Sequence, residues 1–352
     1  MILTRSPYIL TIPWDSPSSG TTPDKYILQL FIWNGQKTSV PATPTYEIES
    51  KNPLARSGNS FVNISNEVDS EISIVLPDVS STGIVKSFAA RWVKSQVIYY
   101  IGGVAQSPEF VNVDLAFKGY GYGIEGANYQ LTNFSGVNFA NISNNSTYLL
   151  PMLFSEVDNI DIQIISQPNN NINQTTTITA SNNSEDLIRY AVVKCSDIGN
   201  DTSIQIKKDN VVIHTLILKE ELRYEPLDIA FINKAGQLQT TTFFKDKTVS
   251  LNVESESYES SNGQPIDGVH QFVNFNTNGK TEFKINSGWV KELYNEIFKQ
   301  LMLSDKAWEL KNNVFIPVNL KKKSIQYQTR QRDRLLNYEF EFEYAFSEVN
   351  NI

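Results

Sequence analysis

Apolar and polar positions alternate with a period of two along most of this chain. Tyr8–Pro13, Tyr26–Trp33, Thr45–Glu49, Ile72–Leu76, Ser87–Tyr100 and Glu109–Phe117 each gather apolar side chains on one face of an extended segment, the pattern of a half-buried strand. Turn chemistry separates them at Ser16-Pro-Ser-Ser-Gly20, Asn34-Gly35, Ala55-Arg-Ser-Gly58 and Gly102-Gly103. Asn and Gly both tolerate positive φ, so this dipeptide between apolar runs predicts a tight turn. Short strands at such regular spacing predict a β-sandwich of the fibronectin type III or immunoglobulin kind over residues 1–126, with Trp33 and Trp92 in its aromatic core.

Residues 127–222 change character. FSGVNFANISNNSTYLL and SQPNNNINQTTTITASNNS are rich in Asn and Thr with short apolar islands. They predict loops and edge hairpins within a second β-domain, with Gln167–Asn183 as the candidate mobile loop. Strands are expected again at Leu187–Lys194, Thr202–Lys207 and Val211–Leu218, the last two joined by a Lys208-Asp-Asn210 turn.

The third region, 223–352, is expected to be β-rich with one docked amphipathic helix. Ile229–Asn233 and Gln239–Phe244 flank Lys234-Ala-Gly236, a hairpin signature. SGWVKELYNEIFKQLML (287–303) has apolar residues at helical spacing: Trp289, Leu293, Ile297 and Leu301, with Val290, Tyr294 and Phe298 alongside. Ser287 is its expected cap. Ser304-Asp305 should cap a short turn at Lys306–Leu310, followed by strands at Val314–Leu320, Ser324–Gln328 and Tyr338–Phe346. The fold class is therefore mainly β and multi-domain, with α+β character only in the last part.

Composition narrows the function classes. Among 352 residues, 40% are hydrophobic and 11% aromatic, which supplies real cores. A net charge of −8 disfavours a general nucleic-acid-binding role, which wants a basic face. No apolar run approaches the roughly 18 residues of a membrane span, and MILTRSPYILTIPW reads as a first strand, not a signal peptide. Cytoplasmic synthesis without export is expected, and Cys195, the only cysteine, can form no intrachain disulfide.

Candidate chemistry is sparse. Gly121, Gly123 and Gly126 spell G-x-G-x-x-G after an apolar run, but Ala127-Asn-Tyr-Gln-Leu-Thr has no helical periodicity. A dinucleotide loop needs a helix N-terminus there, so a structural bend is expected. Two isolated histidines, His214 and His270, and the one cysteine, Cys195, are too few for a zinc site of the usual sort, and neither histidine has a serine or cysteine elbow beside it to suggest a triad. No catalytic residue, cofactor or metal is expected, and enzyme activity is not. The sharpest charge pattern is NYEFEFEYAF (337–346). It puts Glu339, Glu341 and Glu343 on one face and Tyr338, Phe340, Phe342 and Tyr344 on the other. Upstream, Lys321-Lys-Lys323, Arg330, Arg332 and Arg334 supply matching cations, so a cross-strand ion-pair ladder within or between subunits is expected.

The runs LDIAFINKAGQLQTTTFF (227–244), WVKELYNEIFKQLMLSDKAWEL (289–310), FIPVNLKKKSIQYQT (315–329) and LLNYEFEFEYAFSEVNNI (335–352) occur in that order. Together they resemble a group of uncharacterised virion proteins of tailed bacteriophages infecting Bacteroidota, including crAss-like and marine relatives. SPYILTIPW and KYILQLFIWNG are similar to the N-terminal part of the same group; residues 127–222 carry little of the resemblance. It implies a structural virion protein and transfers no functional residue. The resulting expectation is a homo-oligomeric ring in the phage tail, at tip, baseplate, hub or collar, contacting other tail proteins. Its expected interface residues are Trp289, Leu293, Tyr294, Ile297 and Phe298, with Arg330, Arg332, Glu339, Glu341 and Glu343 setting register. The alternative is a tail-tip receptor- or carbohydrate-binding protein using Tyr120, Tyr122, Tyr129 and the Asn-rich loops against a host glycan.

Overall fold

The computed structural model describes the chain except residues 15–19, 53–56, 122–134, 155–158, 180–181, 221–222, 261–266, 322–334 and 350–352. Among the described residues the protein is mainly β, arranged in several sheets. The first sheet runs in the order Ile2–Leu3, Glu109–Phe117, Ala90–Ile101, Lys25–Trp33, Tyr46–Lys51, with Val104–Ala105 returning onto Ala90–Ile101 through a turn at Gly102 and Gly103. A ribbon of Ile9–Pro13 and Asn59–Asn63 and a short helix, Ser65–Glu71, cover one face of it. Tyr26, Leu28 and Leu30 point into that layer with Trp14, Val68 and Tyr99.

Trp33 and Trp92 are buried, but on the opposite face. They pack with Phe31, Phe117, Leu187, Ile188 and Ala235, at a seam with the rest of the molecule. The expected strand Ile72–Leu76 is absent and the helix Ser65–Glu71 precedes it. Ile64, Val68 and Ile72 recur every four residues and all three are buried, a helical period just ahead of the expected strand in a stretch for which no element was expected.

The middle region is far more regular than its composition suggests. One sheet runs Phe139–Ile142, Val211–Leu218, Ser203–Lys208, Ile160–Gln167, Asn173–Ile178. It faces a second, in which Ile188–Lys194 lies between Thr147–Leu153 and Gly83–Lys86. Ile160, Ile162, Ile164, Ile204 and Ile206 fill the layer between with Tyr148, Leu150 and Val193. Asn173–Ile178 occupies the expected mobile loop, and its polar side chains are those of an exposed edge strand. The turn before it is pinned by Asp201, which accepts bonds from Ser166 Oγ and the Asn169 and Asn171 amides. Because Gly83–Lys86 comes from the first region, the chain interleaves the two units instead of changing over cleanly at residue 126.

The last region is a seven-stranded sheet: Leu238–Phe243, Leu227–Ile232, Ala307–Lys311, Val314–Leu320, Glu339–Tyr344, Phe272–Asn286, Thr248–Glu259. Ala307–Lys311, expected to be a capped turn, is a strand paired on both sides. The helix is Tyr294–Met302, shorter than expected. Its expected first turn is taken by Val290–Lys291, which pairs with Leu335–Leu336. Ser287, the expected cap, is bound instead to Tyr338, just ahead of strand Glu339–Tyr344: its Oγ accepts the Tyr338 amide at 2.9 Å, and Gly288 reverses the chain at φ +66°.

The glycine loop has a structural explanation where it is described. Gly119 and the hairpin turn at Lys234-Ala-Gly236 cross with their backbones in contact. A methyl group on Gly119 would stand 2.6 Å from the Lys234 carbonyl oxygen, and one on Gly236 would stand 2.3 Å from the Lys118 carbonyl carbon. The Tyr120 amide donates to Lys234 O at 2.9 Å across the same crossing, and the Gly121 amide donates to Ser6 Oγ at 2.7 Å. Gly123 and Gly126 lie outside the described residues. Gly236→Ala is expected to cost about 2–4 kcal/mol, through overpacking added to its positive φ. Gly102, also at positive φ but with open space around it, should cost only about 1 kcal/mol when replaced by Ala. Urea titration of both variants checks this; equal losses would show that the crossing is not tight.

Candidate functional site: an open sheet edge and its arm

Thr248–Glu259 is exposed at all of its positions. Its sequence, TVSLNVESESYE, alternates β-branched or leucine residues with small polar ones, a pattern that suits an extended strand with one apolar face. Val249 lies opposite Phe283, so Val249, Leu251 and Val253 continue the face that carries the buried core. Yet they are 57%, 56% and 55% exposed. Among the described residues this strand pairs only with Phe272–Asn286, so its other edge is unpaired. Such an edge presents a row of free N–H and C=O groups to any second strand.

The hairpin also outruns the sheet. Glu339–Tyr344 pairs with Phe272–Asn286 only from Glu282 to Asn286. The Glu348 amide donates to Gly279 O at 2.8 Å, so the last described residues support the hairpin a little further. Beyond Asn278 the two strands pair only with each other. A bulge between Glu254 and Glu256, with Asn276 at φ +48°, sets this outer part off, and bulges increase local twist. From Glu254 to Glu259 the arm extends roughly 17 Å. It carries Tyr258 and Phe275 in edge-to-face contact at 5.7 Å, with Phe272 62% exposed. A two-stranded ribbon is marginal in water by itself.

The expected interface residues divide. Tyr294, Ile297 and Phe298 are buried inside the chain against Phe243, Phe283 and Phe340, and so offer no surface to a partner. Trp289 and Leu293 are 57% and 59% exposed, because the strand Val290–Lys291 turns them away from the sheet. Glu339, Glu341 and Glu343 alternate with buried Tyr338, Phe340 and Phe342 as expected. Their cross-strand partners differ: Lys284 lies opposite Glu341, with Nζ 3.7 Å from its carboxylate, and Glu343 lies opposite Glu282. Lys321 bonds Glu282 and holds its carboxyl below the usual range. Arg330 and Arg332 lie outside the described residues, as do Tyr122 and Tyr129. Tyr120 is buried under the Arg5 guanidinium, 5.1 Å from the ring centre, and offers no sugar platform.

A cleft of about 620 Å³ opens at the ends of Leu227–Ile232 and Ala307–Lys311. It holds two buried carboxylates, both already committed to the fold. Asp228 accepts from Ser146 Oγ, Thr242 Oγ1 and the Thr147 amide at 2.9, 2.6 and 3.1 Å. Glu309 accepts from Lys247 Nζ at 2.8 Å and Tyr344 Oη at 2.6 Å. Glu309 lies opposite Ile229 in register, so it and Asp228 project from opposite faces of the sheet and cannot flank one substrate bond. His214 is stacked on Tyr148 at 5.4 Å, with its ring nitrogens near Tyr148 Oη and Val137 O, each at 3.1 Å. Cys195 is buried, which pushes its thiol pKa up; a thiol held protonated is a poor nucleophile.

Burial drives His214 and Asp228 in opposite directions with pH. Desolvation lowers His214 to about 4 and raises Asp228 to about 6, outweighing the three donors on the carboxylate. For His214 the unfolded chain binds the proton first, so its stability contribution is complete above about 6.5 and is lost as pH falls towards 4. Asp228 binds its proton first in the folded chain, so its contribution is complete below about 4 and is lost as pH rises through 6. Each effect is worth ~3 kcal/mol, and they oppose over one window. Asp228→Asn should therefore lose stability, and His214→Gln gain it, as pH is lowered from 6.5 to 4. Thermal melts across that range check the signs; parallel profiles for the two variants would contradict them.

No known family model matches the chain, and no curated protein and no solved structure matches it.

Proposed function

We propose that this chain is a structural protein of a tailed-phage virion, a component of a tail ring that acts through protein–protein contacts and not through catalysis. The observation that carries the reading is the hairpin arm: an exposed, aromatic-bearing ribbon beyond a sheet whose opposite edge is fully buried. An element of that kind reaches a neighbouring subunit, and repeated head-to-tail contacts close into rings. Trp289 and Leu293 provide a second exposed apolar position for such contacts. The sequence runs that resemble phage virion proteins support the same assignment, as does a first region whose sheet and ribbon enclose Tyr26, Leu28 and Leu30 in the manner of a fibronectin-like sandwich. The helix Tyr294–Met302, docked on the sheet by its own aromatic side, keeps the arm's base rigid. Localisation in the virion and contacts with other tail proteins follow from this reading.

Light scattering and negative-stain images of one purified sample test it. Rings, or mass that grows with concentration, are expected, and a monomer at every concentration would count against the proposal. In the double variant Tyr258→Ser, Phe272→Ser the assembled fraction should fall at least tenfold while the melting temperature moves little, since both side chains are exposed. Trp289→Ala should likewise weaken assembly more than folding. If both variants assemble like the parent, neither the arm nor Trp289 is an interface.

A further inference from the structure

We propose that the free edge Thr248–Glu254 pairs with the same edge of a second copy, antiparallel, about a two-fold axis through Leu251. The occupant follows from the strand's own self-complementarity. With Leu251 on the axis, Val249 faces Val253 of the partner subunit and Leu251 faces its own counterpart, so all three exposed apolar side chains meet apolar side chains. Ser250 then faces Asn252, and Thr248 faces Glu254. No carboxylate faces a carboxylate. Moving the axis to Val253 sets Leu251 against Ser255 and Val249 against Ser257; moving it to Ser250 sets Val253 against Lys247. Only the Leu251 register satisfies the whole apolar row.

The direction of the side chains agrees. A two-fold axis perpendicular to a sheet keeps equivalent residues on one face, and the row Val249, Leu251, Val253 shares its face with Phe283 and Phe342. Pairing would thus join two seven-stranded sheets into one and extend both apolar faces together. The paired stretch Thr248–Glu254 contains no Lys and no Pro, and its one charged residue, Glu254, stands at its end. Its bulge lies beyond Glu254, outside the paired stretch. The contact is isologous, self-contained and closed at two copies. It goes beyond the ring reading: it would hold a dimer before assembly or join two rings face to face, and it can fail while the ring stands.

The test is a cysteine placed on the axis. Leu251→Cys should cross-link to itself under mild oxidation or with a short bis-maleimide, giving a covalent dimer. Val249→Cys alone and Val253→Cys alone should cross-link poorly, whereas a mixture of the two should give the mixed dimer. Cys195 is 2% exposed and adds no background. Leu251→Lys, at an exposed position, should keep the parent's circular dichroism and melting curve while its dimer dissociates at least tenfold more readily by sedimentation. An uncross-linked Leu251→Cys chain, or an unchanged assembly state in Leu251→Lys, would overturn the proposal. Rings that persist in Leu251→Lys, with no cross-linking at 251, would leave the ring reading intact and remove the two-fold contact.

Discussion

The structure depends on a polar hairpin buried where the three regions meet. Leu227–Ile232 and Leu238–Phe243 form it, and the second strand, LQTTTF, is buried at all of its positions. Three of its polar side chains are bonded in place: Gln239 Oε1 accepts from Asn233 Nδ2, Thr240 Oγ1 accepts a backbone amide and Thr242 Oγ1 donates to Asp228. Thr240 Oγ1 accepts the Leu149 amide at 2.9 Å, and Gln237 Oε1 accepts from Ser87 Oγ and Tyr190 Oη, each at 3.1 Å. Asn233 Oδ1 takes the amides of Ala235 and Gln237, closing the turn. The same turn crosses Gly119 at backbone contact, so one hairpin holds the first sheet, the middle sandwich and the helix-bearing sheet in a single arrangement. Losing one partner in such a network leaves a buried polar group unpaired, at about 1–3 kcal/mol.

That arrangement makes the two edges of the seven-stranded sheet unequal. Leu238–Phe243 is an edge by sheet order, but its free side is closed by neighbouring side chains and by the strand Thr147–Leu153. Thr248–Glu259 receives nothing comparable among the described residues. One edge is thus sealed by a polar network and the other is bare and apolar among the described residues, the asymmetry on which the proposed contact rests. The ion pairs beside the open edge sharpen this: Lys321 with Glu282, and Lys284 near Glu341, neutralise the polar face next to the hairpin. Pairing there would not bring bare carboxylates together.

Much of this was legible in the sequence, and the failures have physical causes. Glu109–Phe117 and Val211–Leu218 were readable to the residue from their apolar, β-branched runs, and Asp209 and Asn210, both at positive φ, mark the start of the second. The alternation of Glu339, Glu341 and Glu343 with Phe340 and Phe342 was equally plain. The start of the helix was not: Trp289 and Leu293 fit its period, but pairing of Val290–Lys291 with Leu335–Leu336 overrode a propensity worth only tenths of a kcal/mol per residue. The arm was missed altogether because Ser, Asn and Glu dominate it, although Val249, Leu251 and Val253 alternate. Its significance lies in exposure, which a single sequence does not carry. The buried threonine strand was found as a strand, but nothing in LQTTTF announces that both faces are covered.

Rigidity at the seam bears directly on how the arm can act. A recognition element that orders only on binding spends part of its contact energy on conformational entropy. Here the arm grows from a strand held by Phe283 and Phe342, stacked at 5.5 Å, and by Lys247, which sits 4.2 Å over the Phe283 ring and bonds Glu309. Phe340 and Phe342 in turn lie under the helix through Phe298, 5.1 Å from Phe340. The base of the arm is therefore fixed by the same core that joins the regions, and only its outer part beyond the bulge is left to adapt. A fixed base gives any contact of the arm a repeatable geometry, which the proposed ring would require and a loosely tethered hairpin could not supply.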